Sequence, residues 1–175
     1  MKARLTLVLG GARSGKSRHA EALARQTGLS RLYLATAQPF DEEMRERIRQ
    51  HRVDREGDGW QTIEEPLDLA GAITRASAAD AVLLVDCLTL WLSNLMLADR
   101  PVAPETAALL GALATASGPV ILVSNEVGLG IVPETPLGRA FRDAQGRLNQ
   151  HVAALADHVV FMAAGLPLTL KEPPR

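Results

Sequence analysis

The sequence predicts an α/β protein with a mainly parallel sheet flanked by helices. Residues 10–17 read Gly10-Gly11-Ala12-Arg13-Ser14-Gly15-Lys16-Ser17, which matches the phosphate-binding pattern G-x-x-x-x-G-K-[ST] at every fixed position. This stretch follows the apolar run Leu5-Thr6-Leu7-Val8-Leu9 and precedes helix formers from Arg18 to Arg25, the strand–loop–helix context the motif requires. Further along, Ala81-Val82-Leu83-Leu84-Val85 and Val120-Ile121-Leu122-Val123 are unbroken apolar runs of strand length. Strands of that kind are buried on both faces, and alternating them with helices produces a parallel sheet.

The remaining elements follow in order. Arg31-Leu32-Tyr33-Leu34-Ala35-Thr36 reads as a second strand, and residues 41–55 as a charged helix. Trp60 to Ile63 is a short extended piece, and Leu67 to Ala76 is helical. The strand ending at Asp86 leads into an apolar helix from Thr89 to Leu97. A helix from Pro104 to Ala116 stops at Gly118-Pro119, before the strand that ends at Ser124. A turn-rich segment through Gly128, Gly130, Pro133 and Pro136 precedes a long helix from Leu137 to Ala156. His158 to Met162 is a strand, and Leu168-Thr169-Leu170 adds an edge strand. The chain reads as one domain over residues 1–175, with residues 171–175 expected to form a disordered tail.

Composition narrows the function classes. With 175 residues and 47 % hydrophobic content the chain is long enough for a sizeable core. A net charge of −1 provides no global field for nucleic acid or an anionic membrane. Two Trp, one Tyr and three Phe leave little for base stacking. Cys87 is the only cysteine, so no intrachain disulfide forms. There is no signal-peptide pattern and no apolar stretch near the ~20 residues of a membrane helix. The expectation is a cytoplasmic protein without stable membrane insertion and without a nucleic-acid partner.

The loop chemistry is direct. Gly10, Gly11 and Gly15 let backbone N–H groups turn inward, and the helix start adds positive potential for a nucleoside triphosphate. Lys16 supplies a point charge at the β- and γ-phosphates, and the Ser17 hydroxyl is placed to ligate Mg2+. Asp86, directly after an apolar strand, has the position expected of the second Mg2+ ligand; the alternative is an acidic cap on the following helix. Ser124-Asn125-Glu126 ends another strand and is read equally well as a site residue cluster or as plain turn chemistry. In the charged stretch, Arg47, His51 and Arg55 recur at four-residue spacing. Two guanidiniums bias an imidazole toward its neutral, nucleophilic form. On pattern alone, however, a solvated, salt-bridged helix with an incidental histidine is the better account.

Several stretches together resemble one family. They are Gly10 to Glu21, Tyr33-Leu34-Ala35-Thr36-Ala37, Asp41-Glu42-Glu43-Met44 with Arg47-Ile48 and His51-Arg52, Trp60 to Glu64, Asp86-Cys87-Leu88-Thr89, Ser124 to Pro133, and Phe141-Arg142-Asp143 with Gly146 to Gln150. The chain resembles the bifunctional adenosylcobinamide kinases / adenosylcobinamide-phosphate guanylyltransferases of cobalamin biosynthesis, over about residues 5 to 165. The resemblance implies a RecA-like phosphate-loop fold and a homotrimer. It implies phosphoryl transfer from ATP or GTP to adenosylcobinamide, then GMP transfer from GTP to adenosylcobinamide phosphate through a guanylylated histidine. Some relatives carry two adjacent histidines where this chain has Gln50 then His51, so the nucleophile is assigned to His51. The resemblance further implies nucleotide contacts from residues 10–17 (Ala12, Arg13 and Ser14 included), Ala35, Thr36, Ala37, Arg52, Val53, Asp54, Arg55, Glu64 and Asp86, with Ser17 and Asp86 on Mg2+. A plain small-molecule kinase or a nucleotide-dependent switch would share the phosphate loop and have no need of His51.

Overall fold

A computed structural model describes residues 4–38 and 57–172. The element order is β1 (Leu5–Gly10), α1 (Lys16–Gln26), β2 (Ser30–Ala35), β3 (Trp60–Glu64), α2 (Leu69–Ala76), β4 (Ala81–Asp86), α3 (Leu88–Leu97), α4 (Val102–Thr115), β5 (Val120–Asn125), α5 (Pro136–Leu155), β6 (His158–Ala163) and β7 (Leu166–Lys171). The strands form one seven-stranded sheet in the order β3-β2-β4-β5-β1-β6-β7. Every pairing is parallel except β6 with β7, a hairpin turned at Ala164-Gly165. The expected architecture is therefore observed, and β1 lies deep in the sheet between β5 and β6.

Burial explains the apolar runs. All six residues of β1 are buried, as are the first five of β4 and of β5. Side chains alternate between two cores, one on each sheet face. On one side Leu7, Leu9, Leu83, Val85 and Leu122 join Ile73, Trp91, Leu92, Leu109, Leu148 and Val152 from the helices α2 to α5. On the other, Val8, Tyr33, Leu84, Ile121 and Val123 meet Ala20 and Ala24 of α1, whose small side chains let the helix approach closely.

Helix boundaries follow local chemistry. Asp68 caps α2 by accepting from the Gly71 N–H at 3.0 Å, and Thr135 caps α5 by accepting from Gly138 at 3.1 Å. Pro136 then takes the first turn, where its missing N–H costs nothing. The helix expected to begin at Pro104 begins earlier, at Val102, because proline is tolerated inside a first turn. The tail expected from residue 171 needs a correction. Lys171 closes β7, and its Nζ donates to the carbonyls of Ala153 and Ala154 at 3.3 and 3.0 Å. An ammonium satisfying the last carbonyls of α5 holds the strand end in place. The charged helix predicted over residues 41–55 lies outside the described residues.

Trp91 is fully buried, and its Nε1 donates to the Leu67 carbonyl at 2.9 Å. Trp91→Phe removes the donor and leaves a cavity, so it is expected to cost about 2–3 kcal/mol. Urea denaturation with Trp60 as the remaining fluorophore measures this; a loss below about 0.5 kcal/mol would mean the indole is not held as described.

Candidate active site

The turn from β1 into α1 builds an anion cradle from backbone alone. Gly10 leaves no room for a side chain, since a Cβ there would stand 2.6 Å from both the Met162 carbonyl oxygen and Ser14 Oγ. Gly15, at the N-cap of α1, has φ 93°, a left-handed conformation that glycine adopts without strain. No side chain caps this helix, and its first turn carries no acidic residue. The first N–H groups are thus left for a ligand. The loop, together with Arg18, Ala164 and Gly165, lines a cavity of about 560 Å³. Two of its side-chain groups wait for partners of another kind. Ser14 Oγ is buried without a hydrogen-bond partner among the described residues, and Lys16 Nζ donates to the Gly11 carbonyl at 2.8 Å.

Lys16 is buried, which lowers the pKa of its ammonium, while the nearby Cys87 and Asp86 act in the opposite direction. Burial also pushes the Cys87 thiol up to about 11, with the Asp86 charge adding to the shift. Cys87 is therefore a protonated, packed side chain at neutral pH rather than a nucleophile.

Asp86 ends β4 in register with Ala35. It does not cap α3; the N-cap residue is Cys87, with no side-chain cap hydrogen bond. Its Oδ2 instead accepts from the Tyr33 hydroxyl at 2.8 Å. Among the described residues no group of three His, Cys, Asp or Glu side chains is placed to hold a metal ion. A hydroxyl (Ser17) and one carboxylate (Asp86), with phosphate oxygens and water completing the shell, fit the coordination habit of Mg2+.

The other sequence-predicted residues fall in different places. Ala35 and Ala37 are half-buried at the end of β2, and Glu64 is exposed at the end of β3, paired with Ala35. Thr36 is fully buried. Its hydroxyl donates to the Cys87 carbonyl at 2.8 Å and accepts from the Cys87 N–H at 2.9 Å. It thereby joins the end of β2 to the end of β4. His51, Arg52, Val53, Asp54 and Arg55 lie outside the described residues. His19, on α1, has its pKa lowered by burial and by the neighbouring His158.

Sequence reasoning missed several contributors. Gly165 donates its N–H to the Ser14 carbonyl at 3.0 Å, so the β6–β7 hairpin braces the loop. The Ala164-Gly165 pair between two strand-like runs was the available signal. Tyr33 was legible only as a strand residue, because its partner Asp86 is far away in sequence. The Ser124-Asn125-Glu126 cluster, legible in the sequence as either site or turn, closes its turn through Glu126, whose Oε1 accepts from the Gly128 N–H at 2.7 Å. The Glu126 N–H itself donates to the Gly10 carbonyl at 3.1 Å.

A family model described as cobinamide kinase / cobinamide phosphate guanyltransferase matches residues 6–170. The bifunctional adenosylcobalamin biosynthesis protein CobP of Pseudomonas aeruginosa is 51 % identical, covering 96 % of this chain and 98 % of its own length. The corresponding CobU protein of Salmonella typhimurium is 41 % identical over 95 % of this chain and 99 % of that one. Among solved structures, the flagellar accessory protein FlaH of Methanocaldococcus jannaschii superposes with a TM-score of 0.55 at 15 % identity, covering 97 % of this chain and 79 % of that one. The RadB recombinase gives 0.53 at 15 % identity, covering 90 % and 73 %. At that identity the structural likeness concerns the fold alone, which is RecA-like.

Two outcomes are expected. Tyr33→Phe removes one hydrogen bond from the Asp86 carboxylate. Calorimetric affinity for Mg2+–nucleotide should fall roughly fivefold, with affinity for nucleotide in EDTA unchanged; an equal fall in both would mean Tyr33 merely packs. Lys16→Met should abolish nucleotide binding and stabilise the free protein. The sign follows from the lowered pKa: the unfolded chain holds the proton more tightly, so burying the ammonium costs stability at neutral pH. That cost fades as pH rises toward 10.5. The melting temperature of the free protein at pH 7 should rise, and the gain should shrink by pH 10.

Proposed function

The chain belongs to the cobinamide kinase / cobinamide phosphate guanyltransferase family, and from that membership we propose that it is a bifunctional enzyme acting on adenosylcobinamide. In the first reaction the terminal phosphoryl group of ATP or GTP moves to the aminopropanol hydroxyl. In the second, GTP transfers GMP to that new phosphate, giving adenosylcobinamide-GDP and pyrophosphate. One observation carries the reading: an intact phosphate cradle lies within a chain that the family model matches over residues 6–170.

For the kinase step, the loop N–H groups and Lys16 hold the β- and γ-phosphates while the acceptor hydroxyl approaches in line. Ser17 and Asp86 would hold Mg2+, which would supply charge neutralisation for the transferring group when bound. For the transferase step, the neutral imidazole of His51 attacks the α-phosphorus and pyrophosphate departs, leaving a phosphoramidate. A phosphate oxygen of the acceptor then attacks the same phosphorus and releases the imidazole. Arg52 and Arg55 bind phosphate oxygens, Val53 and Asp54 add nucleotide contacts, and Glu64 accepts hydrogen bonds from guanine or ribose. We place this work in the cytoplasm; no helix among the described residues is long and apolar enough to cross a membrane. We also take the enzyme to be a homotrimer. The exposed Leu97, Leu129, Ile131, Val132 and Leu137 offer apolar surface that supports self-association.

Incubation with Mg2+ and GTP labelled at the α-phosphate tests the transferase step. An acid-labile, base-stable adduct of GMP mass is expected, absent in His51→Ala, which should keep the kinase reaction within a few-fold. GTP bound without labelling would refute the bifunctional reading, and label retained in His51→Ala would move the nucleophile.

A further inference from the structure

Asn125 is the last residue of β5 and pairs in register with Gly10, the first residue of the phosphate loop. Strand alternation sets its direction. Val123 faces the α1-side core, whereas Ser124 faces α5, where its hydroxyl donates to Asn149 Oδ1 at 2.7 Å. Asn125 therefore points to the same face as α1, Lys16 and Asp86. Its amide is half-buried and has no hydrogen-bond partner among the described residues.

The backbone beneath that amide is held from both sides. The Asn125 N–H donates to Thr89 Oγ1 of α3 at 2.8 Å. The Asn125 carbonyl accepts from Asn149 Nδ2 of α5 at 3.0 Å. Asn149 is itself fixed by Gln145, whose Nε2 donates to both Ser124 Oγ and Asn149 Oδ1 at 2.9 Å. Ser124 and Gln145 are fully buried, and Asn149 and Thr89 nearly so. The next residue, Glu126, ties the chain to the Gly10 carbonyl at 3.1 Å. A buried hydrogen-bonded network of this kind fixes geometry, although Gln145 Oε1 within it has no partner among the described residues. Here it fixes the position of one unpartnered amide beside the phosphate cradle.

We propose that Asn125 reads the terminal phosphate of the donor nucleotide, its Nδ2–H donating to a γ-phosphoryl oxygen, and that Thr89 and Asn149 are positioning residues that hold it there. The proposal rests on the reading of residues 10–17 as a triphosphate site; it is independent of the acceptor's identity. An amide donor at that point distinguishes triphosphate from diphosphate and stabilises charge on the transferring group.

Calorimetric titration of the full chain with Mg2+ and either GMPPNP or GDP tests this directly. Asn125→Ala should weaken GMPPNP binding roughly tenfold or more and leave GDP within twofold. Equal losses for both nucleotides, or no loss for either, would overturn the assignment. Thr89→Val, which keeps shape and removes the acceptor, should lose part of the same discrimination, and Thr89→Ser should restore it. Discrimination unchanged in Thr89→Val would remove Thr89 from the positioning role. Parent protein that binds neither nucleotide would overturn the inference together with the triphosphate site. Discrimination lost in Asn125→Ala, with no transfer to adenosylcobinamide by the parent, would sink the proposed acceptor and leave Asn125 standing.

Discussion

The uncapped start of α1 is the constraint from which the site is built. A helix whose first N–H groups have no side-chain cap is incomplete until an anion arrives, and nothing in its first turn competes for that place. Such a loop gains little from its own contacts, so its neighbours must hold it. Three do so: Met162 of β6 crowds Gly10, Gly165 bonds to the Ser14 carbonyl, and Glu126 bonds to the Gly10 carbonyl. This bracing is possible only because β1 runs between β5 and β6, with strand ends delivering residues on both sides of the loop.

The polar groups around the cradle divide into two kinds. Those that shape it are satisfied within the protein: Thr36 with Cys87, Ser124 with Asn149, and Asn94 Nδ2 with the Thr36 carbonyl at 2.7 Å. Those that face it are not fully committed: Ser14 Oγ is orphaned, Asn125 is unpartnered among the described residues, and Lys16 spends its charge on a neutral carbonyl. Unsatisfied polar groups cost free energy in the free protein and return it on binding. The site is therefore a place where stability is traded for affinity, while the networks behind it keep that trade local.

Much of this was legible in the sequence, for identifiable reasons. The phosphate loop is contiguous, and its glycines and lysine announce their roles by spacing. The strands were legible because burial on both faces writes unbroken apolar runs, as in Val120–Val123. Relations between distant residues were not. The Tyr33–Asp86 pair spans β2 and β4, and the Asn125 clamp draws on α3, β5 and α5, so no local pattern marks either. Thr36 is a further case, since no local pattern tells that its hydroxyl closes the sheet against the Cys87 backbone. Lys171 was misjudged because a short polar tail carries no sign of the helix carbonyls it reaches.

The bracing of the loop also bears on how one cradle serves two reactions at different phosphorus atoms. Gly10 has no space to move toward Met162, and the flanking carbonyls are bonded from β5 and from the β6–β7 turn. A loop pinned on these sides cannot slide by the distance between a γ- and an α-phosphorus. If both reactions draw on this cradle, the change between them has to occur in the nucleotide's pose or in the segment that carries the nucleophile. The Asn125 amide belongs to the fixed part, through its clamp to α3 and α5. Its position then serves the phosphoryl-transfer geometry, and the guanylyl transfer must be organised by residues nearer the α-phosphate. On the proposed reading, a rigid γ-phosphate site and the His51 nucleophile would divide the labour in the way such a pinned scaffold permits.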